Sequence, residues 1–195
     1  MNRFFDITGA LGGLVFITPF APFIALAIVI ESGWPVVIKL DRISEGRRIK
    51  VYKFRSMIKG AHSMKSKLAN LNERADGPFF KIKNDPRLTK VGKWLRKFRL
   101  DEFPQLINVL KGELALVGPR PHEPEEVSQY SPEFKKILIT KSGLTGLSQV
   151  SGASGLPFKK ELELDLYYVE NKSLWFDLKI LFKTIRIFFF DPTGV

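Results

Sequence analysis

An α+β class with helices in the majority is what the sequence predicts, and three patterns carry that expectation. An uncharged apolar run covers Ile7 to Ile30. Two β-branched and aromatic runs flank a polar turn at Ser44-Glu45-Gly46. Later stretches repeat apolar residues at helical spacing.

The amino-terminal run has 24 residues between Asp6 and Glu31. As one straight helix it would reach roughly 36 Å at about 1.5 Å per residue, enough to cross a bilayer. Pro19 and Pro22 interrupt it, and an interior proline costs roughly 3 kcal/mol because it removes a backbone donor and crowds the preceding turn. A break is therefore expected at Thr18-Pro19, with the Thr18 hydroxyl able to satisfy a freed carbonyl. The pattern alone leaves a bent single-pass anchor and a re-entrant hairpin equally open. Ala25-Leu26-Ala27 resembles a signal-peptide cleavage site, but the apolar run is too long and Asp6 offsets Arg3.

Val36 to Leu40 and Ile49 to Phe54 read as the strands of a hairpin, with Lys53 at its end. His62 to Asn72 has helix-forming composition, and Asp76-Gly77-Pro78 breaks the chain after it. Thr89 to Arg99 reads as an amphipathic helix with Val91, Trp94, Leu95 and Phe98 on one face, lysines on one flank, and Arg96 and Arg99 on the other. The lysine flank suits anionic lipid, and the arginine flank suits bidentate phosphate binding.

Asp101 is expected to cap a helix from Glu102 to Lys111, ended by Gly112, where the amino-terminal amides and dipole would favour a phosphate. Glu113 to Val117 reads as a short strand. Pro119 and Pro121 then restrict where Arg120 points. Ser142 to Gly155 reads as a glycine-rich turning loop. Leu174 to Phe190 reads as a helix resting on headgroups, with Lys179, Lys183 and Arg186 on one face. Asp177 falls off that face and needs a partner; Asp165, twelve residues earlier, reads as a second acid of the same kind, and a structural ion pair is the alternative role for each.

The chain has 195 residues, enough for one domain with a core, and a net charge of +11. Pro35 to Arg99 holds 19 basic and 5 acidic residues, net +14, against −3 elsewhere, so the positive field belongs to one region. Under the positive-inside rule that region should stay cytoplasmic. The absence of cysteine excludes disulfides and thiolate metal sites, and two histidines argue against zinc clusters and histidine triads. The adjacent carboxylates Asp101 and Glu102, directly after this cationic block, point to phosphoryl chemistry. A basic module that binds nucleic acid would explain the charge but would leave that pair and the Pro-Arg-Pro loop without a task.

With these residues assembled, the chain resembles the monotopic phosphoglycosyl transferases, the bacterial sugar transferases that initiate glycoconjugate assembly on polyprenol phosphate. The resemblance runs through Arg3-Phe4-Phe5-Asp6, Lys53-Phe54-Arg55-Ser56-Met57, Asp85-Pro86-Arg87-Leu88-Thr89-Lys90-Val91-Gly92 and Leu100-Asp101-Glu102-Phe103-Pro104-Gln105-Leu106. It continues through Asn108-Val109-Leu110-Lys111-Gly112, Val117-Gly118-Pro119-Arg120-Pro121, Gly143-Leu144-Thr145-Gly146 and Asp165-Leu166-Tyr167-Tyr168.

The resemblance implies that residues 1–34 form a re-entrant membrane helix and that residues 35–195 form a compact cytoplasmic catalytic domain with interfacial helices, the two making one functional unit. Asp101 would be the nucleophile and Glu102 its dyad partner. Mg²⁺ would sit on Asp101 and the substrate diphosphate. Arg96 and Arg120 match phosphate-binding arginines, and Lys53, Pro119, Pro121, Asp165 and Asp177 match further site positions.

The implied substrates are a UDP-sugar and polyprenol phosphate, with an anionic phospholipid bilayer and downstream glycosyltransferases as partners. No nucleic acid is implied. A homodimer is compatible with this role, although the sequence sets no oligomeric state. The implied location is the cytoplasmic face of the bacterial inner membrane. Four positions depart from the usual pattern without touching the dyad: Thr18 stands where many members have serine, Leu40 and Ser44 replace a common glutamine and glycine, and Ser142 replaces a common proline.

Overall fold

The computed structural model describes residues 3–74, 76–152 and 155–190 of the chain. It is mixed α/β and about half helical. The apolar run forms two helices, α1 (Arg3–Ile17) and α2 (Ala21–Ser32), bent by 62° at the break between them. The break falls at Thr18-Pro19, and the Thr18 hydroxyl donates to the Leu14 carbonyl at 2.6 Å, as expected of a proline-interrupted helix. Among the described residues no single helix is long and apolar enough to cross a membrane, whereas this bent pair passes that test together.

Both ends of the pair are fixed to the rest of the chain. At the start, Arg3 donates to the Val109 and Leu110 carbonyls at 2.5 Å each, and buried Asp6 accepts from the Leu116 N–H at 2.9 Å. At the end, Glu31 accepts from the Lys90 and Val91 N–H groups at 2.6 and 2.8 Å, and the Arg55 guanidinium donates to Ser32 and Gly33. Gly9 and Gly13, one turn apart, leave room on α1 for the Leu116 and Leu106 side chains.

Strands β1 (Val37–Ser44) and β2 (Arg47–Phe54) form the expected antiparallel hairpin with Glu45-Gly46 at its tip. Both tip residues take positive φ, which is what a two-residue turn matching the strand twist requires. The register pairs Ile38 with Lys53, and strand alternation puts Lys53 on the face of β2 that carries buried Val51.

Helix α3 (Lys90–Lys97) begins as expected, with the Thr89 hydroxyl accepting from the Gly92 N–H at 2.8 Å. Its apolar face buries Leu95 completely against Ile17, Ile24, Ile28, Val36 and Phe54. Burying one such side chain contributes about 1.5–3 kcal/mol. Any β-carbon on Gly92 would overlap the Ser56 backbone, so close approach to the segment just after β2 explains this glycine.

Helix α4 (Gln105–Lys111) starts later than the sequence pattern suggests. Leu100–Glu102 form a separate 3-10 turn, entered through Arg99 in the left-handed region. Pro104 has no N–H to give the Leu100 carbonyl. The Phe103 N–H takes that acceptor instead, at 3.3 Å, and winds the segment more tightly. Asp101 is therefore not the N-cap of α4; Pro104 holds that position, without a side-chain cap.

Strand β3 (Ala115–Val117) is followed by the short helix α5 (Pro124–Val127), then by β4 (Gly143–Thr145), which lies parallel to β3. Helix α6 (Leu147–Val150) continues from β4. The segment expected to be a glycine-rich turning loop thus contains a strand and a helical turn up to Val150. Gly118 and Gly143 are in backbone contact, where a β-carbon on either would collide with the other strand. The expected loop also takes in Ala153 and Ser154, which lie outside the described residues.

Helices α7 (Phe158–Glu170) and α8 (Leu174–Phe190) close the fold. The central core joins Val51, Leu106, Val109, Leu114, Val117, Tyr168 and Ile180. The helix expected over His62 to Asn72 is instead a series of turns ending in one 3-10 turn, Ala69–Leu71. Its lysines and serines leave no apolar stripe to bury, and helix propensity alone does not hold so short a segment in water.

Candidate active site

Lys53, Arg96, Asp101, Glu102 and Arg120 meet in space. The 3-10 turn buries the Asp101 side chain to 6% exposure and leaves that of Glu102 at 31%. Lys53, reaching in from β2, places its ammonium 2.6 Å from Glu102 Oε1 and 3.7 Å from Asp101 Oδ2. Arg96 donates to the Ser56 hydroxyl at 3.1 Å, which holds its cation where it acts on Asp101.

Asn108, fully buried on α4, fixes this geometry. It accepts from the Tyr52 N–H at 3.0 Å and donates to the Lys50 carbonyl at 2.8 Å and to Glu113 at 2.5 Å. Helix α4 is thereby bolted to β2, and the dyad to Lys53.

Burial raises the Asp101 carboxyl above the usual range; the Lys53 and Arg96 charges pull it down, and the neighbouring Glu102 pushes it further up. Glu102 moves the other way. Burial opposes its ionisation, but Lys53, through charge and a direct hydrogen bond, with help from Arg120 and Arg99, holds it below the usual range. The dyad therefore divides into a buried Asp101 whose carboxyl is raised and a Glu102 whose carboxyl is lowered.

Arg120 leaves β3 through buried Pro119, whose carbonyl accepts from the Gly143 N–H at 2.8 Å, with Pro121 on its other side. Its backbone N–H donates to Asp165 Oδ2 at 3.1 Å. Asp165, fully buried on α7, also accepts from the Ser148 hydroxyl at 2.7 Å. Burial pushes its carboxyl up to about 6, against the pull of His122 and these hydrogen bonds.

Asp177 is fully buried too, but it accepts from Tyr168 at 2.6 Å; the hydrogen bonds of Asp165 run to Ser148 and Arg120. Asp177 thus has a partner in Tyr168, which, three residues beyond Asp165 on α7, faces α8. Thr18 and Pro19 lie at the helix break.

Sequence reasoning missed Glu161, His122 and Tyr130, all buried beside Arg120. Glu161 Oε1 lies 3.3 Å from His122 Nε2 and 3.8 Å from Arg120 Nε, and His122 Nδ1 meets the Tyr130 hydroxyl. A signal was present: Glu161, Asp165 and Tyr168 follow at helical spacing on one face. The Asp85-Pro86-Arg87 block proves structural. Its acid and guanidinium form a buried pair at 2.6 Å, and Arg87 also donates to the Ala61 carbonyl.

Two departures from the usual pattern meet each other. The Ser142 N–H donates to the Ser44 hydroxyl oxygen at 3.1 Å, and that hydroxyl donates to the Glu113 carbonyl at 2.8 Å. A proline at 142 would have no N–H and a glycine at 44 no hydroxyl, so the two serines form one contact in place of the common pair.

Among the described residues no cluster of three His, Cys, Asp or Glu side chains could hold a metal by itself. Asp101 with a substrate diphosphate would nevertheless supply the hard oxygen ligands Mg²⁺ prefers, since that ion is commonly held by one or two carboxylates plus phosphates.

A buried carboxyl beside a lysine-paired one, under the charges of two arginines on a small mixed α/β scaffold, is suited to handling anions. The chain belongs to the bacterial sugar transferase family, whose model it matches over residues 1–191. It is 40% identical over 188 residues to the galactosyl transferase CpsE of Streptococcus agalactiae serotype III (strain NEM316), covering 95% of this chain and 41% of that protein. Against the undecaprenyl-phosphate galactose phosphotransferase of Salmonella typhimurium it is 37% identical, covering 96% of this chain and 40% of that protein. Against the exopolysaccharide production protein PSS of Rhizobium leguminosarum bv. phaseoli it is 37% identical, covering 95% of this chain and 93% of that protein. The chain thus spans about two fifths of the length of the first two relatives.

Proposed function

We propose that this chain transfers a phosphosugar from a UDP-sugar to polyprenol phosphate at the cytoplasmic face of the bacterial inner membrane, as the first membrane step of glycoconjugate synthesis. The carrying observation is the pairing of buried Asp101 with the Lys53–Glu102 ion pair, under the charges of Arg96 and Arg120. The names of the relatives supply the substrate class.

Asp101 Oδ attacks the sugar-bearing phosphorus. The new O–P bond forms as the bond to the bridging oxygen breaks, and UMP leaves with that electron pair. A phosphate oxygen of polyprenol phosphate then attacks the same phosphorus, the Asp101–phosphorus bond breaks, and the carboxylate is restored. Lys53 keeps Glu102 ionised beside the reacting acid. Arg96 and Arg120 stabilise charge on the transferring oxygens. When bound, Mg²⁺ would be held by Asp101 and the diphosphate and would supply charge neutralisation.

The bent pair α1–α2 supports a re-entrant placement. Its arms are about 22 and 18 Å long at about 1.5 Å per residue, each shorter than the roughly 30 Å hydrocarbon core. Both ends return to the same globule, and the exposed faces carry Val15, Phe16, Phe20, Phe23 and Ile30.

The deciding experiment incubates the protein with labelled UDP-sugar and Mg²⁺ but no lipid acceptor. One burst of UMP and retained labelled phosphosugar are expected, both lost in Asp101→Asn. A wild-type protein that gives neither would defeat the covalent mechanism.

A further inference from the structure

The Arg120 guanidinium makes no hydrogen bond to any described residue, and 42% of its side chain is exposed. Its nearest anion is Glu161, at 3.8 Å from Nε, beyond hydrogen-bond length. The fork of the guanidinium is therefore open to a ligand, while the buried carboxylate attracts it from behind. That carboxylate is 2% exposed and carries its charge in the protein interior. Burial resists its ionisation, yet the His122 hydrogen bond and the Arg120 charge together hold it below the usual range.

The proton order in this chain of groups follows from their chemistry. Burial and the surrounding carboxylates keep the Tyr130 hydroxyl protonated, and it meets His122 Nδ1. An ionised Glu161 carboxylate can only accept, so His122 Nε2 donates to it. The imidazole thus orients the acid. Phe79 packs against the His122 ring at 5.0 Å and Phe158 against Tyr130 at 6.2 Å, which closes the group off from water.

We propose that Glu161 and His122 are positioning residues that brace Arg120 against the diphosphate of the donor substrate, acting through the Tyr130–His122–Glu161 chain. This rests on the assignment of Arg120 as a phosphate-binding residue made above. Glu161 and His122 do not touch substrate. The buried charge sets where the guanidinium stands, and the histidine sets where that charge points.

The test is a thermodynamic cycle on the full chain, with binding of UDP in the presence of Mg²⁺ measured by calorimetry rather than turnover. Arg120→Ala and Glu161→Gln should each weaken binding about tenfold, the weight of one charge-assisted hydrogen bond. The double variant should bind no more weakly than Arg120→Ala alone, because Glu161 acts only through that arginine. Losses that multiply in the double variant, or a Glu161→Gln protein that binds like wild type, would overturn the brace. An Arg120→Ala protein with unchanged binding would overturn the phosphate assignment beneath it. Should Glu161→Gln fail to fold, His122→Gln and His122→Leu provide the same decision. The amide of His122→Gln can still donate to Glu161 and should keep wild-type affinity, whereas His122→Leu should lose about tenfold; equal affinity in both variants would reject the proposal.

Discussion

Lys53 is bonded to Glu102 and only adjacent to Asp101: its ammonium stands 2.6 Å from the first carboxylate and 3.7 Å from the second. The lysine therefore pairs with the acid that is not proposed to react, and the buried Asp101 has a weaker claim on it. That asymmetry separates two acids that sequence alone presents as neighbours.

The acidic limb of covalent phosphosugar formation should respond in opposite directions to the two partners. Glu102 raises the Asp101 carboxyl, so Glu102→Gln should shift the limb to lower pH. Lys53 lowers it, so Lys53→Met should shift the limb to higher pH and reduce the rate by about 10²-fold or more. Single-turnover labelling between pH 4 and 9 checks this. Shifts of the same sign would refute the division of roles.

Asp165 should make stability depend on pH. Its folded carboxyl, at about 6, lies above the ordinary 3.8, so the folded protein retains a proton that the unfolded chain has lost between those values. Stability contributed by that proton is lost as pH rises through 6. Asp165→Asn should match wild type near pH 4 and be more stable above pH 7 by up to about 3 kcal/mol, at 1.36 kcal/mol per unit. Thermal melts across this range provide the check; a pH-independent difference would contradict it.

Asn108→Ala should cost about 2–4 kcal/mol, because its loss leaves the Tyr52 N–H and Lys50 carbonyl unpaired in the interior. Urea unfolding would measure it. A cost below about 1 kcal/mol would mean that α4 and β2 are held together without this side chain.

The serine pair offers an additivity test. Ser44→Gly and Ser142→Pro should each destabilise by about 1 kcal/mol, and the double variant by less than their sum, since one contact is shared. Strictly additive losses would show the two positions to be independent.

The hairpin, α3 and α8 were legible because each repeats apolar residues at one period over eight or more positions. The dyad and its arginines were legible because charge of both signs is concentrated in a short stretch. The start of α4 was not, since the pattern of a proline in the first turn is the same whether the preceding residues form a cap or a 3-10 turn. Gly143 and Gly146 read as freedom in one dimension, but they are required by close contact with Gly118. Glu161 and His122, 39 residues apart, could be joined only by folding.

The two ends of the bent apolar pair have a mechanical consequence. Arg3 and Asp6 tie one end to α4 and β3, and Glu31 ties the other to the first turn of α3. The apolar arms therefore cannot sink or rise without carrying those elements, and the turn that bears Asp101 lies between them in the chain. Under the re-entrant reading, the length of the arms acts as a depth gauge: it fixes the height of the reacting carboxyl above the lipid tails, and so how far a phosphate on a lipid must rise to meet it.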